Sequence, residues 1–323
     1  MRKALIVIFI GMVIALSACG SRVPPSNRIV IGSTRKIYAI DEKGAEISVS
    51  PPFSYYDVSA PSSSVQWSPN HEWVIYQTEE TASPDDPQIF IVKADGSKKF
   101  ELTNNDQRSG NDQRSGRYPV WSPDGNQIAA HFWNGFWDSN GQDGIYIVDV
   151  SCLAKGQECI FNYRFIVEGA TPSWSFDGKQ IAFLTPEKQV SVVSIENTEN
   201  VKTISPKDFK CLSLGLAWSP VNNEIAASCH DSSPGLGIFL VNSDGSNFRR
   251  ITFGKNRDIS PVWSPDGTKI AFISGRIRNN TVIPGPYEMS PDAVFIMNSD
   301  GSGLKQISPY NNEEIYWITW VYP

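Results

Sequence analysis

Chemistry at neutral pH needs titratable or nucleophilic side chains held together, and this chain of 323 residues offers few of them. Its three histidines are His71, His131 and His230. His131 and His230 each follow a short strand-like run ("QIAA" and "EIAASC"), so they can face one rim, whereas His71 falls in a turn on the opposite side. Two histidines with Asp138 or Asp231 nearby could begin a metal centre. Ordinary half-exposed histidines are the simpler reading, so no metal is assigned. No Gly-x-Ser-x-Gly elbow is present to expose a serine nucleophile. No Cys-x-x-Cys occurs, which argues against a zinc site or a thioredoxin-type redox pair. Asp138, Asn140 and Asp143 sit at intervals that miss the calcium-loop pattern. Catalysis and cofactors are therefore not expected.

Aromatic side chains are the stronger signal. The stretch "HFWNGFWDSNGQDG", His131 to Gly144, gathers Phe132, Trp133, Phe136 and Trp137 in one expected loop. Such a group can stack on a sugar or anchor a partner protein, or it can fold back onto its own sheet. A second long segment, Ser274 to Ala293, carries Arg276, Arg278 and Tyr287. Long loops in compact domains are commonly functional or mobile. The candidate binding rim is thus Trp133, Phe136, Trp137, Arg276, Arg278, Tyr287, His131 and His230.

These residues must be positioned by something, and the chain repeats itself. "PVWSPDGTKIAF" (Pro261–Phe272) nearly duplicates "PVWSPDGNQIAA" (Pro119–Ala130). Related stretches surround Trp67, Trp174, Trp218 and Trp320, at successive tryptophan spacings of 54, 53, 44, 45 and 57 residues. A strand-rich period of about 50 residues marks a propeller or array. In each unit a Trp strand leads into Ser-Pro-Asp-Gly. Pro presets φ, Asp suits the next turn position, and Gly accepts φ > 0, so the chain reverses into an "Ile-Ala-Phe" strand. A third strand such as "IFLVNSDG" and a short fourth such as "FRRIT" or "LKQIS" complete the unit. Lys and Arg on the fourth strand suit an edge that must stay unpaired.

The last Trp strand has nothing to follow it, while "RIVIGST" and "KIYAIDEKGAEISVS" near the start have no Trp strand before them. Pairing the two ends completes one sheet. The expected fold is all-β, a six-bladed β-propeller of four-stranded antiparallel blades over residues 28–323. It is closed by the C-terminal strand against the N-terminal strands. The loops between second and third strands then share a rim with the interblade loops. One of these, Asn104–Tyr118, holds the tandem hexamer "NDQRSGNDQRSG", expected as a solvated, tolerated duplication.

Residues 1–18 read as an export signal: Arg2 and Lys3, then the apolar run Ala4–Leu16, too short to span a membrane. "LSAC" resembles a bacterial lipobox, which makes Cys19 the acceptor of diacylglycerol and of acyl chains such as palmitate. Residues 19–27 become the lipidated cysteine and its tether. More than one acyl chain gives stable anchoring. The expected location is the cell envelope. Gly20 in place of Asp favours an outer membrane, facing the periplasm; without one, the protein sits on the outer face of the cell membrane. Four further cysteines, an even number in an exported chain, suggest two disulfides. Three pairings exist. Cys152–Cys159 with Cys211–Cys229 is favoured, the first closing a loop and the second at the open end of a hairpin; free thiols are the alternative. The net charge of −6 argues against nucleic acid as the main partner, since phosphate binding needs a basic face.

"WSPDG", "IAF" and "NSDG" together resemble the repeats of the TolB-type six-bladed propellers, also called PD40 repeats. The likeness runs from about Arg28 to Pro323 and is strongest around Trp121, Trp174 and Trp263. It weakens at Asn70-His71, at Phe176 in place of Pro, and at Val221-Asn222-Asn223. The resemblance implies an envelope propeller without the separate N-terminal domain of that family. It implies a protein- or peptide-binding scaffold, with an envelope protein or peptide as partner. Propeller lyases acting on pectin fragments resemble the repeat too, so a carbohydrate-binding or lyase-like propeller with a glycan at the aromatic rim is the alternative. Propeller-capped prolyl peptidases share the repeat but need a hydrolase domain that is not found here.

Overall fold

The Trp-Ser-Pro-Asp-Gly stretches fold alike because the serine does three things at once. In the computed structural model, Gly125, Gly178 and Gly267 donate to the carbonyls of Ser122, Ser175 and Ser264 at 2.8 to 2.9 Å, with φ of 72°, 68° and 68°. The same serine hydroxyls donate to Asp124, Asp177 and Asp266 at 2.6 Å. Each also accepts the amide that opens the next strand, from Gln127, Gln180 and Lys269, at 2.9 Å. The turn is therefore closed by main chain and locked by side chain.

The structure describes residues 28–33, 36–49, 51–52, 64–78, 87–103, 114–134, 142–155, 159–231, 235–254, 256–275, 293–309 and 314–321. They form six four-stranded antiparallel sheets. Blades one to five start at Val65–Trp67, Arg114–Trp121, Ala170–Trp174, Lys210–Trp218 and Asp258–Trp263. The sixth blade runs Ile315–Val321, Arg28–Ser33, Ile37–Ile40, Glu46–Ser48. Its first two strands pair antiparallel, with Ile29 opposite Trp320 and Ile31 opposite Ile318. The expected closure of the ring is what the chain adopts.

Strand alternation sends the two faces of each blade to its two neighbours. In blade two, Ile128, Ala130 and Phe132 pack on Ile75, Ile89 and Ile91 of blade one. Ala129 packs the other way, towards Trp174, Ile181 and Phe183 of blade three. The tryptophans stitch blades together. The indole N–H of Trp121 donates to Gln66, that of Trp174 to Val120, and that of Trp263 to Ala217, each a carbonyl of the preceding blade. Trp218 turns instead to Asn222 in its own turn.

Both disulfides have the favoured pairing. Cys211 and Cys229 face each other at the open end of the first hairpin of blade four. Cys152–Cys159 closes the connection between the third and fourth strands of blade two, which includes a one-turn helix, Cys152–Lys155.

Two expectations need correction. The fourth strands are shorter than read, only Arg249–Arg250 and Lys305–Gln306 in blades four and five, although Ile251 and Ile307 beside them are buried. The tandem hexamer is not wholly loop. Its end, Arg114 to Gly116, enters the first strand of blade two, pairing Ser115 with Trp133 and Gly116 with Phe132, and Ser115 is buried. Pairing with a long partner strand overrides the loop-like composition.

The aspartates predict acid sensitivity. The Asp177 and Asp266 carboxyls are held below the ordinary value of 3.8, first by the serine hydroxyl. Burial opposes the shift most at Asp124, yet hydrogen bonds from Ser122 and Asn126 still lower it. A folded-state pKa below the unfolded one gives stability that is present above the unfolded value and lost as pH falls through the folded one. Thermal melts should therefore weaken steeply below about pH 4. Asp266→Asn should flatten that dependence; an unchanged pH profile in that variant would refute the assignment.

Candidate functional site

The first strands of all six blades surround the axis and leave a channel of about 240 Å³. The first strands of blades two to five all shift register ahead of the tryptophan, those of blades two, three and five through a bulge at a proline. At each bulge a residue before proline takes a left-handed conformation: Tyr118 (φ 56°), Thr171 (φ 57°) and Ser260 (φ 54°). All three line the channel. Non-glycine residues at such φ are strained, and strain of this kind gathers at functional sites.

At the Ser-Pro turn end the channel opens into a mouth of about 410 Å³. Its wall includes the indoles of Trp67, Trp121 and Trp174, with Pro69, Pro123 and Phe176 at the rim. Phe176 is 41% exposed, and Val221 in the next turn is 48% exposed. Of the two departures from the turn pattern, Phe for Pro in blade three places apolar surface at this opening, whereas Val221, for Asp in blade four, packs beside Gly267 of the next turn. The volume lies within the roughly 300–1,000 Å³ of ligand pockets.

His71 is the titratable side chain on that wall. It occupies the turn position where blades two, three and five have glycine, at φ 59°. Its Nε2 is buried with no hydrogen-bond partner among the described residues. Restoring the glycine should relieve a left-handed histidine. His71→Gly is expected to raise stability by about 1 kcal/mol, seen as a higher midpoint in urea. A lower midpoint would show that the imidazole contributes packing that outweighs the strain.

The opposite rim is where sequence reasoning placed the site. Phe136, Trp137, Arg276, Arg278 and Tyr287 lie outside the described residues. The aromatic loop starts later than expected: His131, Phe132 and Trp133 stand on the second strand of blade two, Gln127–Asn134, where long pairing with the first strand carries them, with Phe132 buried in the core and the His131 and Trp133 rings 5.3 Å apart. His230 ends the second strand of blade four, with blade three intervening. Asp231 is committed to Arg250 at 3.0 Å, and Asp138 lies outside the described residues. Among the described residues no three His, Cys, Asp or Glu side chains gather as a metal site. Sequence reasoning missed Arg117. It sits opposite His131 across the hairpin, and its guanidinium lies 5.3 Å from the Trp133 ring centroid.

The family profile described as "TolB beta propeller domain" matches residues 155–308, which runs from the end of blade two through blade five. The chain carries a TolB-type β-propeller. Among curated proteins, a TolB homolog of Chlorobium luteolum is 34% identical over 112 residues, 35% of this chain and 25% of its own length. The Tol-Pal system protein TolB of Francisella tularensis subsp. mediasiatica is 26% identical over 209 residues, 62% of this chain and 45% of its own. The chain thus spans less than half the length of these relatives. TolB from Acinetobacter baumannii superposes with a TM-score of 0.62 at 16% identity, covering 93% of this chain and 68% of that one. At that identity the likeness speaks for the fold alone. The TolB-type propeller here has an axial channel that opens at the Ser-Pro turn end into the tryptophan-walled mouth.

Proposed function

We propose that this chain is a lipid-anchored, non-enzymatic propeller of the bacterial cell envelope that holds a segment of a partner protein at the turn-side mouth of its channel. The observation that carries the reading is that mouth: an apolar recess walled by tryptophans, with the exposed Phe176 at its rim. Exposed apolar surface concentrated on a concave site favours a protein partner. An extended segment suits a recess that narrows into a channel between strands. The anchor rests on "LSAC" and Cys19, outside the described residues. A Tol-Pal system protein among the relatives supports an envelope setting.

A photo-reactive amino acid at position 176, in cells carrying the full chain, should capture a defined envelope protein, whereas the same probe at exposed Val201 should not. Equal capture from both positions, or from neither, would refute the mouth as the site. Radiolabelled palmitate should be incorporated by the chain and lost in Cys19→Ala; label retained in that variant would refute the anchor.

A further inference from the structure

On the rim opposite the mouth, blade two carries a set of side chains that its own fold leaves unused. Arg117 stands on the first strand, His131 and Trp133 on the second, and Asp143 just before the third. The Arg117 guanidinium lies over the indole of Trp133, and the imidazole of His131 meets the same indole at 5.3 Å, tilted by 36°. Arg117 Nε is buried and finds no acceptor among the described residues. The side chains of His131 and Asp143 make no hydrogen bond to a described residue either. Burial first holds the His131 pKa below its ordinary 6.5; the Asp143 charge opposes the shift and the Arg117 charge reinforces it. At neutral pH the ring is uncharged, with one donor and one acceptor nitrogen.

The chemistry of this set is mixed. Arg117 offers only donors, Asp143 only acceptors, and neutral His131 one of each. Arg117 and His131 stand against a half-buried indole, and Asp143 is near enough to His131 for its charge to act on the ring. A simple anion fits poorly, because Asp143 would repel it. A simple cation fits poorly, because Arg117 would repel it. A ligand that both donates and accepts through several hydroxyls, and also presents an apolar C–H face, uses every member. Hydrogen bonds to the ionised Arg and Asp would be the stronger ones, and the aromatic ring supplies the apolar wall. We infer that Arg117, His131, Trp133 and Asp143 form a binding site for a sugar ring of a glycan chain, separate from the protein-binding mouth.

This site stands or falls apart from the mouth, because none of its four residues lines the mouth or the channel. Two probes suffice, chitohexaose and trigalacturonate, one neutral and one acidic, each titrated into the protein by calorimetry. Binding of at least one is expected, weakened at least tenfold by Trp133→Ala and by Arg117→Gln. Arg117→Lys keeps the charge but not the planar fork and should be weakened as well. Val201→Ser, on the outer strand of blade three, should bind as the parent does. Melting curves of each variant separate loss of the site from loss of the fold. Binding of neither sugar, or equal binding by folded Trp133→Ala and Arg117→Gln, would overturn the inference. So would capture of a hexaglutamate peptide through Arg117 with no sugar bound, which would reassign the site to an acidic protein segment.

Discussion

A chain ended after Glu314 is expected to lose cooperative folding. The strand removed, Ile315–Val321, is the inner strand of blade six and the partner of Arg28–Ser33. Its Ile315, Trp317, Ile318, Trp320 and Val321 are all buried. At about 1.5–3 kcal/mol for each buried large apolar side chain, these five account for on the order of 10 kcal/mol. That is comparable with the roughly 5–15 kcal/mol that holds a whole domain together. The loss would also strip Ile29, Val30 and Ile31 of their pairing partner and leave an apolar edge ready to join another molecule. The truncated protein should therefore be aggregated or show no sharp thermal transition. A synthetic peptide of residues 315–323, added during refolding, should restore soluble monomer, because the missing element is a strand and not a domain. A truncated chain that melts as a cooperative monomer within a few degrees of the full one would contradict closure by this strand. Gly32 reports on the same seam. A Cβ there would collide with the indole of Trp317, so Gly32→Ala should be destabilising where most glycine-to-alanine changes in strands are not.

The ring was readable because every repeat encodes the same local event. Ser122, Ser175 and Ser264 each make the same three local bonds, so "WSPDG" specifies a turn before any tertiary contact exists. The orphaned strands at the two ends then allowed one closure. Cysteine pairing was readable for a related reason: Cys211 and Cys229 stand on the two strands of one hairpin, at its open end. The sites were less legible. Nothing in the tryptophan spacing tells where the channel widens, since that depends on how inner strands tilt and where Phe176 projects. Arg117 was hidden by register. A bulge between Arg117 and Val120 sets which residue faces His131, and a one-residue slip would send Arg117 to the other side of the blade. The polar composition of the preceding hexamer made that strand look like loop. Departures from the repeat, at His71 and Phe176, proved more informative about the mouth than the repeat itself.

The tryptophans yield the second large effect. Trp263→Ala is expected to cost about 3–5 kcal/mol, the range for emptying a buried Phe or Trp site. Trp263 is 2% exposed, the largest of the fully buried side chains, and its N–H reaches the Ala217 carbonyl of blade four at 2.9 Å. The milder change to phenylalanine separates packing from the hydrogen bond. In Trp263→Phe the Ala217 carbonyl loses its indole donor, which adds about 1–3 kcal/mol to the cost of the smaller ring. Trp67 lines the mouth and is similarly buried, but its Nε1 has no partner among the described residues. There, replacement by phenylalanine removes a donor that was already unsatisfied, so Trp67→Phe should cost clearly less than Trp263→Phe. Urea denaturation of the two variants measures the difference directly. Equal losses would mean that ring volume alone holds neighbouring blades together, and that the indole N–H to carbonyl contacts between blades contribute nothing measurable.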